Sequence, residues 1–283
     1  MKLLVTACNG QLGVDVTEHF SKTCDVAAYK DVALDITDRE KVLETVRREK
    51  PDVILNTAAI TNVDGCEKNR ELAYRVNAEG AGVLTDAARA CGALLVHIST
   101  DYVFDGMSHE AYKETDTPCP ASVYGSSKLE GEKLVLGYDK SVILRTAWLY
   151  GPHGNNFVKT MLRLAAENGE VGVVTDQVGN PTSTFELTRI IDAVLRSGKR
   201  GVFHATCEGA VSWNAFARAI FEEAGVKAGV NDLTTEQFPR PAKRPPYSNL
   251  SKEKLLRECG YRATGWRAAL KEYFDYVRAE EGK

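Results

Sequence analysis

The stretch VTACNGQLG, residues 5–13, joins an apolar run to an amphipathic one. Gly10 and Gly13 stand three residues apart, the spacing of a phosphate-binding turn between a first strand and a first helix. In such a turn one glycine admits a pyrophosphate close to the backbone, another lets helix and strand pack closely, and the helix N-terminus turns its N–H groups to the phosphates. The first position of the usual Gly-x-x-Gly-x-x-Gly pattern is Ala7. Alanine at positive φ costs roughly 1–2 kcal/mol, and at negative φ almost nothing. By itself the loop is also compatible with a strand–turn–helix that binds no ligand.

Working outward, strand-like and helix-like segments alternate. KLLVTA (2–7), CDVAAY (24–29), PDVILNTAA (51–59), ALLVHIST (93–100) and SVILRTAWLY (141–150) read as strands. Helices are expected over 11–22, 37–50, 69–92, 126–138 and 155–169, with Thr37 and Glu40 spaced as a capping box. This alternation predicts an α/β fold, a Rossmann-like doubly wound parallel sheet buried on both faces. Residues 1–150 form the expected dinucleotide-binding domain, with about 171–207 returning to it. Residues 151–283, looser and rich in Gly, Pro and Asn, form mainly a smaller C-terminal substrate-binding lobe.

The 283 residues are 43% hydrophobic and carry a formal charge of −3, with no basic block, which argues against nucleic acid as a partner. No apolar run reaches membrane-span length, and KLLVTA is too short for a signal-peptide core. The seven cysteines are scattered and form no C-x-x-C pair, so neither a disulfide framework nor a zinc site is expected. The combined expectation is a reduced, cytoplasmic protein.

Two further places carry chemistry. After the second strand, an acidic residue suits the ribose 2′-hydroxyl of NAD and a basic one the 2′-phosphate of NADP. Here Lys30 leans towards NADPH, Asp31 beside it pulls the other way, and Lys30 also reads as a plain surface lysine. In YGSSK, Tyr124 and Lys128 share one helix face, and a lysine cation there would lower the tyrosine pKa and suit it to general acid catalysis. Upstream, Ser99 and Thr100 end a strand, where parallel sheets bind ligands. Each signal alone is common; their combination points to carbonyl reduction.

The segments NGQLG, LDITD, STDYVFDG, YGSSKLEGE, ILRTAWLYG, NNFVKTM and DQVGNPTST together resemble the dTDP-4-dehydrorhamnose reductase family of the extended short-chain dehydrogenase/reductase superfamily, from Lys2 to about Tyr276. The resemblance implies reduction of the 4-keto group of dTDP-4-dehydro-L-rhamnose to dTDP-L-rhamnose, with NADPH or NADH, for cell-surface polysaccharide. It implies that Thr100 orients the keto oxygen, Tyr124 donates the proton, and Lys128 holds the ribose. Asp101 and Tyr102 would line the substrate pocket and Trp148 pack against the sugar. Gly10, Gln11, Leu12, Asp35, Ile36, Ala58 and Ala59 would touch the cofactor. Some family members dimerise through a magnesium site of acidic side chains. No such cluster maps onto this sequence, no metal is expected, and monomer and homodimer both stay open.

Elsewhere alternatives stand. Trp148 suits core or pocket wall; Arg240, Lys243 and Arg244 suit a diphosphate or an exposed loop. Asp176, Asn180 and Thr182 suit a gate or a turn. His97, in an apolar strand, is expected in the core. Two rival functions share the pattern: reduction of another dTDP-4-keto-6-deoxysugar, and a non-catalytic regulatory subunit like the one that partners methionine adenosyltransferase. Ala7 favours the latter, while Thr100, Tyr124 and Lys128 together oppose it.

Overall fold

Alternate residues of each strand face opposite helical layers, and that alternation builds the molecule. In the computed structural model, which describes residues 1–282, β1 (Lys2–Thr6) leads through the glycine loop into α1 (Gln11–Phe20). Next come β2 (Asp25–Ala28), α2 (Arg39–Glu49), β3 (Val53–Asn56), α3 (Val63–Lys68) and α4 (Arg70–Tyr74). A π-helical turn, Arg75–Glu79, precedes α5 (Gly80–Cys91) and β4 (Leu94–Thr100). Then follow α6 (Val123–Leu136), β5 (Ser141–Thr146), β6 (Leu149–Tyr150), α7 (Phe157–Asn168), β7 (Glu170–Val174), β8 (Val178–Gly179) and β9 (Thr182–Ser183). The chain ends with α8 (Thr184–Ser197), β10 (Gly201–His204), β11 (Val211–Ser212), α9 (Trp213–Ala224), β12 (Gly229–Leu233), α10 (Glu253–Cys259) and α11 (Trp266–Glu281).

Six parallel strands form the main sheet in the order β10-β5-β4-β3-β1-β2. Leu3, Val5, Val96 and Leu144 pack on one face against α1 and α8 through Val16 and Ile190. Leu4, Ile54, Leu95 and Ile143 pack on the other against α2 and α5 through Val42 and Leu84. Strand order reverses between β1 and β3, and a crevice opens there at the carboxyl ends of the strands. A smaller cluster, with Val171, Phe216, Val230 and Phe274, holds α7, α9 and α11 around the β7–β12 pair.

Several local expectations need correction. Residues 171–174 pair with β12 away from the main sheet; the return begins with α8 and β10, and Leu255 of α10 also joins the main core. The long helix expected over 69–92 is helical without interruption from Arg70 to Cys91, but it widens into a π-helical turn at Arg75–Glu79, where buried Asn77 bonds the Ile60 backbone and Ser127. The capping box is replaced by a single cap: Lys41 N–H donates to Asp38 at 3.1 Å, and Thr37 bonds Asp35 instead. The strand over 141–150 breaks at Trp148, whose φ is 47°, so that β6 leaves the sheet and pairs with β9. No helix among the described residues is long and apolar enough to cross a membrane, and all seven cysteines are free.

Candidate active site

The glycine loop closes without its first glycine. Ala7 takes the left-handed conformation at φ 47°, and Gly10 N–H donates to Ala7 O at 2.9 Å. The alanine therefore carries the strain of roughly 1–2 kcal/mol considered above. Gly13 is required sterically, since a Cβ there would lie 2.2 Å from Ala7 O. Ala7, Gly10, Gln11 and Leu12 line a crevice of about 1120 Å³ that runs along the strand ends. A helix N-terminus and a close-packed turn facing one cavity fit a dinucleotide pyrophosphate.

Around this turn, Asp35 and Ile36 line the crevice from the segment after β2, and Ala58 and Ala59 from the segment after β3. The Gln11 side chain donates to Leu149 O at 3.1 Å and accepts from Asn156 at 2.9 Å. Its amide ties the glycine loop to the second lobe and leaves the backbone of α1's first turn to face the crevice. Lys30 is exposed and lies outside the wall, in keeping with the surface alternative, whereas Asp31 lines it. Asn9 draws the Asp31 carboxylate inward at 3.0 Å, and Asp31 also accepts from Val32 N–H at 2.8 Å.

The structure brings Thr100, Asp101, Tyr102, Tyr124, Lys128 and Trp148 onto the same wall, although they come from separate stretches of the chain. Close seating of α6 makes this possible. Ser122 caps the helix, and a Cβ at Gly125 would lie 2.1 Å from Tyr102 O. A Cβ at Gly131 would lie 2.2 Å from Asn77 O. Below, Arg145 pairs with Glu132 at 2.7 Å, both buried, and Ser99 donates to the same carboxylate at 2.5 Å.

The Thr100 hydroxyl donates to Asp101 at 3.0 Å and accepts from Tyr102 N–H at 3.3 Å, and it shares the crevice wall with Tyr124. Burial pushes the Tyr124 phenol well above its ordinary value; the nearby Thr100 hydroxyl opposes this and the Asp101 charge adds to it. The expected lowering by the lysine cation is not what the geometry delivers. Lys128 Nζ lies 3.2 Å from His97 Nε2 and donates to Ile98 O at 2.7 Å, turned onto the strand. Burial brings Lys128 down to about 8 against the opposing charge of Glu132. Asp101 is pushed up to about 6, chiefly by burial, with the nearby Ser248 hydroxyl and the Thr100 bond opposing.

Trp148 belongs to the wall: its ring stacks on Trp213 with centroids 3.5 Å apart and planes 6° apart, and closely approaches Gly179. Trp213 had no signal in the sequence beyond its type, because the pairing joins distant positions. A second cavity of about 500 Å³ continues past Tyr102 and Trp213, and Arg240 and Arg244 reach its wall. Both arginines grip Asp64 of α3, Arg240 at 2.5 Å and Arg244 at 2.6 Å, and Ala242 N–H adds a bond of 3.1 Å. Burial would raise the Asp64 carboxyl, but Arg244, Arg240 and that N–H outweigh it and hold it well below the usual range. Lys243 lines neither cavity. Asp176 and Asn180 hold neighbouring loops, Asp176 through Thr235 and Asn180 through Gly209, Asn249 and Leu250, and Thr182 lies in β9.

Comparison with known proteins agrees with this geometry. The family model described as RmlD substrate binding domain matches residues 1–279. A dTDP-4-dehydrorhamnose reductase of Aggregatibacter actinomycetemcomitans is 41% identical over 98% of this chain and 99% of its own. The crystal structure of a dTDP-4-dehydrorhamnose reductase from Clostridium acetobutylicum superposes with a TM-score of 0.96 at 46% identity, covering 98% of this chain and 100% of that one. A Bacillus anthracis dTDP-4-dehydrorhamnose reductase in complex with NADP gives 0.95 at 40% identity, over 97% and 99% of the two chains. Whole-length agreement in sequence and in the sheet that carries the crevice places the chain in the RmlD substrate binding domain family.

Proposed function

We propose that the chain reduces the 4-keto group of dTDP-4-dehydro-L-rhamnose to dTDP-L-rhamnose, using NADPH and, as a second cofactor, NADH. The observation that carries the reading is Thr100, Tyr124 and Lys128 on one wall of a crevice that begins at a phosphate-binding turn. The names of the relatives and the NADP held by one of them support the substrate and the cofactor.

Gly10, Gln11 and Leu12 would hold the pyrophosphate by backbone N–H groups, and Asp35, Ile36, Ala58 and Ala59 would flank the nucleoside. Asp31 on the wall suits a ribose hydroxyl, and Lys30 one residue away remains free to meet a 2′-phosphate at the rim. When bound, the cofactor supplies the hydride. Thr100 orients the keto oxygen, and Tyr124, kept protonated by burial, gives it a proton. Lys128 holds the ribose. Asp101, Tyr102 and Trp148 shape the sugar pocket, and the second cavity beside Arg240 and Arg244 receives the nucleotide. In this division residues 1–150, joined by α8 and β10, bind the cofactor and most of the remainder binds the sugar nucleotide. The enzyme works in the cytoplasm as monomer or homodimer, away from nucleic acid and membrane.

The test is loss of NADPH absorbance with purified protein and dTDP-4-dehydrorhamnose, repeated with NADH. Oxidation is expected with both. Tyr124→Phe should keep cofactor affinity and lose about 10²–10⁴-fold in kcat. Folded protein that oxidises neither cofactor would turn the reading to another dTDP-4-keto-6-deoxysugar or to the regulatory role.

A further inference from the structure

Lys128 is tethered from behind by a row of polar side chains inside the sheet. Thr6 on β1 donates to Asn56 Oδ1 at 2.7 Å, and Ala58 N–H donates to the same oxygen at 3.1 Å. A backbone N–H can only donate, so it identifies that atom as the amide oxygen. The Asn56 amide nitrogen must then face His97 Nδ1, 3.0 Å away, and Nδ1 must accept. A neutral imidazole carries one proton. It therefore sits on Nε2, which lies 3.2 Å from Lys128 Nζ. Two donors cannot share that contact: an ammonium would meet an N–H head-on, whereas an amine accepts from Nε2–H and still donates to Ile98 O at 2.7 Å.

We infer that His97 is a positioning residue for the reduction, docking Lys128 in its amine form as an Nε2–H donor, so that protonation of Nζ frees the side chain for the crevice. The inference rests on the reductase reading for its role and on side-chain geometry for its existence. The proton comes from solvent and stays on Nζ. The carboxylate whose charge acts on Lys128 is Glu132 on α6, which already pairs with Arg145 on β5; Tyr124 shares the crevice wall with Lys128, and β3 presents the Asn56 amide. Burial keeps the His97 ring neutral.

The first measurement is the tautomer of His97 by NMR of protein labelled with ¹⁵N-histidine, assigned by the signal lost in His97→Gln. An Nε2–H ring at pH 7.5, with no titration down to pH 5.5, is expected; an Nδ1–H ring overturns the inference. The second is the pH profile of kcat/KM with NADPH. The amide introduced by His97→Gln could offer Nζ its carbonyl oxygen, which favours the ammonium, so this variant should move the basic limb up by about one pH unit. Should that variant fail to fold, Asn56→Asp offers Nδ1 only acceptors, flips the tautomer with the ring retained, and should move the limb the same way. A limb that stays in place while kcat falls evenly at all pH values would leave His97 a packing residue and overturn the inference. The tautomer is read without substrate. A wild-type chain that turned over nothing would therefore defeat the reductase reading alone, and the ring would still decide this one.

Discussion

The seat of α6 borders the crevice, the loop around Arg240 borders the second cavity beside it, and the two are held in opposite ways. Under α6 the contacts are buried and backbone-close: Gly125 on Tyr102, Gly131 on Asn77, and Glu132 between Ser99 and Arg145. The loop is tied to α3 by one carboxylate, with Arg240 44% exposed in its pair and Arg244 17%. Interiors pack densely and tolerate little displacement, while ion pairs near water contribute about 0–1 kcal/mol each and open readily. The groups proposed to move the proton thus sit on rigid scaffold, and the groups proposed to admit the sugar nucleotide sit on a clasp.

The comparison breaks most clearly at Gly125. Gly125→Ala places a methyl 2.1 Å from Tyr102 O, so α6 must shift; about 3 kcal/mol of stability should go, with most of the turnover. Thermal unfolding and kcat together check this, and a variant with unchanged Tm would show that the seat is loose.

Rigid burial also has a pH signature. The Asp101 carboxyl, pushed up to about 6 from an ordinary 3.8, keeps its proton in the folded chain where the unfolded chain has released it. Stability should therefore fall as pH rises from about 4 to about 6 and stay lower above. Asp101→Asn should flatten that slope and add up to about 3 kcal/mol at pH 7.5. Denaturant unfolding at pH 5 and 7.5 measures it; a slope equal to wild type would mean that water reaches the carboxylate.

The clasp should respond differently. Asp64→Asn releases the arginines, and KM for the dTDP-sugar should rise about tenfold, which is about 1.4 kcal/mol, with kcat nearly kept. A fall in kcat matching that of Gly125→Ala would erase the distinction between the two regions. The smallest effect is at the glycine loop. Ala7→Gly relieves strain of about 1–2 kcal/mol but adds about 0.5–1 kcal/mol of unfolded-chain entropy, leaving a gain of up to about 1.5 kcal/mol. NADPH affinity should hardly change; a large gain would mean that the alanine deforms the loop.

Much of the crevice was legible because its determinants are local. Gly10 and Gly13 mark a turn, and Tyr124 and Lys128 share a face by helical geometry, whatever surrounds them. The aim of Lys128 was not legible. Its i,i+4 relation to Tyr124 predicted a cation beside the phenol, but His97 and Ile98, 31 and 30 positions earlier, take the Nζ atom. Nor was it legible that Asn9 draws Asp31, rather than Lys30 beside it, to the wall.

Sequence periodicity by itself determined the parallel sheet, the glycine turn and the identity of the chemical groups, since short-range sterics and burial of alternate residues act along the chain. Tertiary structure alone decided which partner each group meets. The Trp148–Trp213 stack, the grip of two arginines on Asp64, and the row from Thr6 to Lys128 join residues that only folding makes neighbours. Hydrogen bonds and ion pairs act over about 3 Å, and no spacing along the chain encodes such a contact between separate elements.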